Sequence, residues 1–166
     1  MIRLVLTLLC VAVHVSFALA EADAADIHVD VNSSVHGSPS FGFPPLEVLV
    51  PAGSYTCTLV QGTYSGWSHA FGNAGTWHTE VEVRHEDGTL IAEVGNMLWA
   101  DSAAEAWATT TDFSFQFNLP ADEILHFNVG DNKVWDNVGG VSVVLSEESP
   151  VPVDDATWGS VKALYR

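Results

Sequence analysis

The 166-residue chain sets 21 Asp and Glu against five Lys and Arg, a formal charge of −16 that disfavours nucleic acid and anionic bilayers and suits divalent cations and neutral ligands. An apolar content of 48% supports one domain with a sizeable core. Of the two cysteines, Cys10 falls in a leader, and Cys57 alone excludes an intramolecular disulfide.

Residues 1–20 read as a secretory signal peptide. Arg3 supplies the positive start, residues 4–12 the apolar stretch, and Ala18-Leu19-Ala20 a small-x-small site with cleavage expected after Ala20. The apolar run is short for a membrane span and is not repeated, so a secreted or cell-surface protein without membrane insertion is expected. Loss of Arg3 makes the processed chain one unit more negative.

From residue 21 to 146, period-two alternation recurs in short runs bounded by Gly, Pro, Asp or Asn. Ile27, Val29 and Val31 alternate with His28 and Asp30, and residues 46–50 follow as an apolar run. Pro51-Ala52-Gly53 predicts a tight turn, with Gly53 in positive φ, into the alternation of Tyr55, Cys57 and Leu59. Residues 63–76, rich in Gly and aromatics, read as an irregular loop. Glu86-Asp87-Gly88 predicts a hairpin between residues 80–85 and 89–94. Residues 96–111 read as a second long connection with room for one helical turn at 103–108, or for Trp99 and Trp107 to pack over the end of the domain. Phe113, Phe115 and Phe117 form an aromatic stripe directed at the core, and residues 124–129 and 141–145 complete about eight strands. The class expected is all-β, a β-sandwich of the jelly-roll kind.

After Ser146 the composition changes. Residues 147–153, with Pro150 and Pro152, read as a linker. Residues 154–166 read as a short amphipathic helical tail with Trp158, Val161, Leu164 and Tyr165 on its apolar face.

Between the last two strands, Gly130-Asp131-Asn132-Lys133-Val134-Trp135-Asp136-Asn137-Val138-Gly139-Gly140 crowds two carboxylates and two carboxamides into one loop. Hard oxygen donors concentrated in this way suit Ca²⁺, which takes roughly 6–8 oxygen ligands; a polar hairpin built from ordinary turn residues is the plainer alternative.

Read in order, several segments resemble the calcium-dependent, PA-I type galactophilic lectins of bacteria. The likeness spans residues 46–145 and rests on Asp131 through Gly139, on the strand Gly140-Val141-Ser142-Val143, on Val60-Gln61-Gly62-Thr63-Tyr64-Ser65-Gly66-Trp67, and on Gly88-Thr89-Leu90-Ile91-Ala92-Glu93-Val94-Gly95. The resemblance implies a jelly-roll fold and a Ca²⁺ held by the side chains of Asp131, Asp136 and Asn137. Backbone carbonyls near Val134 and Tyr64 would complete the protein's share, and vicinal hydroxyls of a galactose-like hexose would fill the shell. Trp67, Asn132 and Trp135 would then contact the sugar. The loop departs from the family pattern in being two residues shorter and in having Asp136 where the family has Asn. No counterpart of the family's His-Pro-x-Gln-like sugar loop is present, so fold and metal transfer better than galactose specificity.

A catalytic role is not expected, since no Gly-x-Ser-x-Gly elbow supports Ser65, Ser68, His69 or His78 as a nucleophile and base. Zinc held by His69, His78 and His85 lacks a recognised spacing. The function expected is a secreted calcium-dependent carbohydrate-binding domain whose exposed sheet edges would allow homo-oligomers. The alternative is an exported surface or matrix adhesion domain with purely structural calcium and a C-terminal attachment tail.

Overall fold

The computed structural model describes residues 25–148; the expected leader (1–20), most of the linker and the tail helix lie outside the described residues. The chain forms β1 (Ile27–Asn32), a 3₁₀ turn (Pro39–Phe41), β2 (Leu46–Val50), β3 (Gly53–Ser68), β4 (Trp77–His78), β5 (Val81–Arg84) and β6 (Leu90–Val94). Helix α1 (Ala103–Thr109), β7 (Ser114–Leu119), β8 (Glu123–Asn128) and β9 (Val138–Glu147) follow. One sheet has the order β1-β9-β3-β4, with β7 also on β3; the other has the order β2-β8-β5-β6, and every pairing is antiparallel.

The alternation seen in the sequence sets which face is buried. Val29 and Val31 of β1, Tyr55, Cys57 and Leu59 of β3, Val81 and Val83 of β5, and Leu125 and Phe127 of β8 point into one shared core. Phe113, Phe115 and Phe117 pack against it while remaining half-buried. β9 lies between β1 and β3, and Ser142 and Val144 on its outer face are buried together with the core-facing Val141, Val143 and Leu145.

Three connections differ from expectation. Pro51-Ala52-Gly53 joins strands of different sheets, so it is a corner, and Gly53 is not among the positive-φ residues. Residues 63–68, read as loop, continue β3: the register with β9 slips between Val60 and Ser65, and the chain then re-pairs up to Ser68↔Val138. The slip is tied down by Asp30, which accepts hydrogen bonds from Thr63 and Ser142, and by the Tyr64 amide donating to Ser142 Oγ. The short β4 was not anticipated; its ladder contact with β3 and an isolated bridge from Trp77 to Ala100 hold it.

The hairpin at Glu86-Asp87-Gly88 has the expected form, with Gly88 at φ 85° and the His85 amide bonded to Thr89 O. Helix α1 starts at Ser102, whose Oγ accepts from the Glu105 amide while the Glu105 carboxylate reaches back to the Asp101 amide. Trp107 packs edge-on against Phe113 over the core, whereas Trp99 is exposed.

Candidate functional site

The ends of β1, β3 and β8 and the start of β9 meet at one pole of the sandwich, as the pairs Asn32↔Gly140 and Ser68↔Val138 require. Three loops leave this pole: 33–38 after β1, 69–76 after β3, and 129–137 between β8 and β9. They are laced by backbone. Ser33 donates from both N and Oγ to Gly139 O, the Ser38 amide to Asp131 O, the Val129 amide to His36 O, and the Phe71 amide to Asp136 O at 2.7 Å. Gly139 adopts φ 87°, and a Cβ there would lie 2.5 Å from Gly66 O, so only glycine permits this approach of β9 to β3.

The side chains in the 129–137 loop leave an unusual residue of unsatisfied acceptors. Asp131 accepts the Asn132 amide on Oδ1, yet its buried Oδ2 has no partner. Asp136 Oδ1 is likewise buried and unpartnered. Asn137 donates from Nδ2 to Ser33 O at 3.0 Å, which fixes the orientation of the amide and leaves Oδ1 bare. Of the five buried side-chain polar atoms without a partner among the described residues, these are three, and all three are oxygens. Each uncompensated acceptor costs about 1–3 kcal/mol, so each of the three calls for a partner. An all-oxygen donor set of two carboxylates and a carboxamide fits a hard cation such as Ca²⁺.

The remaining sequence-predicted residues divide. Val134 O accepts the Asn137 amide at 3.3 Å, closing the loop on itself. Tyr64 sits in the β3 slip with its ring against Gly140. Asn132 and Trp135 are exposed at the loop tip, Trp135 at 68%. Trp67 is a correction: its ring is 1% exposed and its Nε1 donates to Glu80 O, so it belongs to the core and presents no face to a sugar. The physical reason is that β3 runs on to Ser68, which turns Trp67 inward where a loop would have left it at the rim.

Phe71 was missed. It is 63% exposed, stands 5.7 Å from Trp135 centre to centre, and holds φ 54°, a left-handed backbone that bulky residues rarely adopt. Ser68 Oγ accepts the Ala70 and Gly72 amides and so braces the turn. The one sequence signal was the Gly-rich run Gly72-Asn73-Ala74-Gly75 that follows it.

Beneath the loop, Glu80 is nearly fully buried and accepts a long 3.4 Å bond from the Gly130 amide. Burial first, then Glu93 and Glu82, push its carboxyl up to about 8. His78 lies 3.9 Å from Trp67, ring to ring, with Nε2 unpartnered; burial, then His69, lower it to about 4. His69 stands beside His78 and Trp99, while His85 pairs with Glu123 elsewhere, so the three histidines do not form one zinc site. Burial pushes the Cys57 thiol up to about 12, which makes it an inert core residue.

Compared with protein-family models, with curated proteins and with solved structures, the chain matches none of the three.

Proposed function

We propose that this is a secreted, calcium-dependent carbohydrate-binding domain, acting by binding and without catalysis. The observation that carries the reading is the trio of buried, unpartnered oxygens on Asp131, Asp136 and Asn137. The two carboxylates would neutralise the ion, the carboxamide would add a neutral oxygen, and hydroxyls of a neutral hexose would take open positions in the shell. Trp135 and Phe71, tilted by 56° to each other at the rim, offer apolar ring faces for the C–H side of a pyranose. The acidic composition supports a neutral ligand over an anionic one. The strand orders β1-β9-β3-β7 and β2-β8-β5-β6 support reading the sandwich as a jelly roll.

The test is a thermal melt in EDTA, in Ca²⁺, and in Ca²⁺ with a panel of monosaccharides. A ligand that binds only the folded form at 100 times its Kd adds about 2.7 kcal/mol, so a clear rise in midpoint is expected with calcium and a further one with the cognate sugar. Asp136→Ala and Asn137→Ala should each lose the sugar-dependent rise and one equivalent of bound calcium. A calcium rise that no sugar extends would favour the alternative in which the ion only staples the loops of a surface or matrix domain. Unchanged calcium stoichiometry in both variants would refute the site.

A further inference from the structure

A second group of oxygens lies on the face of the β2-β8-β5-β6 sheet away from the core. Pairing puts Glu82 of β5 directly opposite Glu93 of β6 on one side and opposite Asn128 of β8 on the other, so three neighbouring strands contribute one continuous row. Glu80 stands two residues before Glu82 and shares its face, because Val81 and Val83 take the core side. One carboxylate oxygen from each of Glu80, Glu82 and Glu93 lies within 4.8 Å of the others. Like charges placed directly across a ladder oppose pairing, so such a row calls for compensation. Arg84 supplies part of it, binding Glu82 Oε2 through Nε at 3.0 Å and Nη2 at 2.9 Å. Among the described residues that leaves the carboxyl groups of Glu80 and Glu93 without a basic side chain, since the one ion pair they show in the row is Arg84 with Glu82.

The independent observation is Asn128. Its side chain is fully buried, and its carboxamide is seated on the row, with Nδ2 donating to Glu82 Oε2 at 2.6 Å and also to Val129 O. The carboxamide oxygen next to that nitrogen has no hydrogen-bond donor. A bare, buried acceptor on the side chain that is bonded to Glu82 calls for an electropositive partner, and the neighbouring carboxyl groups of the row offer such a partner only oxygen.

We propose that Glu80, Glu82, Glu93 and Asn128 form a second site for a hard divalent cation, built on the sheet face behind the 129–137 loop and adjoining it through the contact between Glu80 and the Gly130 amide. The dication offsets the Glu93 carboxylate that Arg84 leaves over, takes an oxygen of the buried Glu80 and gives the Asn128 oxygen its partner. Its role is to clamp β8, β5 and β6 across one row immediately behind the loop.

The experiment is calcium titration of the full processed chain by calorimetry, with Glu93→Gln as the principal variant, because Glu93 is exposed and its loss leaves the core intact. The wild type should bind two equivalents and Glu93→Gln one, with the sugar-dependent rise in midpoint retained. Asn137→Ala should also bind one equivalent, and the double variant Glu93→Gln with Asn137→Ala none. If Glu93→Gln binds as many equivalents as the wild type, with affinity changed less than about twofold, the second site is wrong whatever becomes of the loop. If Asn137→Ala leaves binding intact while Glu93→Gln removes it, the loop reading fails and the second site stands. Should Asn137→Ala not fold, the comparison of Glu93→Gln with wild type decides alone.

Discussion

Glu80 and His78 lie two residues apart, and burial shifts each toward its neutral form, so they bend the pH profile in opposite directions. Between the ordinary value of 4.5 and the raised value of about 8, folded Glu80 holds a proton that the unfolded chain has released, so stability falls as pH rises through this window. Between 6.5 and about 4, folded His78 stays neutral while the unfolded chain gains a proton, so stability falls as pH drops through that window. The two slopes oppose each other from about 4.5 to 6.5, and above 6.5 only that of Glu80 remains. Urea unfolding in EDTA should therefore show a nearly flat profile over the lower range and a loss on the order of 2 kcal/mol from pH 6.5 to 8.5. Glu80→Gln should abolish that loss, and a variant that keeps the wild-type slope would show that another group is responsible. At the same scale, Phe71→Gly should leave the unfolding free energy within about 1 kcal/mol of wild type, since release of the left-handed strain (about 1–2 kcal/mol for a non-Gly residue) offsets a solvent-exposed ring contact. A larger drop would mean that the ring is a structural brace.

Among the elements, β3 and α1 show what a linear reading could reach. Asp131, Asp136 and Asn137 were legible because they are close in sequence, and their spacing alone put hard oxygens into one loop. Glu80, Glu93 and Asn128 were not, because only strand register brings them side by side. Trp67 was misread for a related reason: the slip of register after Val60 hides the continuation of β3, and the glycines at 62 and 66 look like loop residues when pairing is unknown. Helix α1 was legible in outline as an Ala-rich turn, and its start is set by Ser102 and Glu105. Ser102→Ala should cost about 1 kcal/mol, as loss of an N-cap usually does, without altering calcium binding. Gly139→Ala, which forces a Cβ against Gly66 O in a left-handed conformation, should cost about 2 kcal/mol or more and also weaken calcium binding, because Gly139 O anchors Ser33. If only stability changes, the loop holds its shape independently of that anchor.

Over the whole molecule, the two-sheet antiparallel sandwich was legible from period-two alternation and punctuation, whereas strand order was not, since it depends on partners far apart in the chain. β1 pairs with β9 and β2 with β8, so the earliest strands wait for the latest before either has a neighbour of its own. Folding dominated by such distant pairings is slow, in the millisecond-to-second range. The pairing of β1 with β9 has a further consequence for geometry. Ile27 lies across from Leu145, while Asn32 lies across from Gly140 at the loop pole. The chain therefore enters and leaves the sandwich side by side, at the pole opposite the three laced loops. A group coupled next to Ile27 or Glu147 would sit on the far side of the body from the acidic loop and from the exposed rings of Phe71 and Trp135.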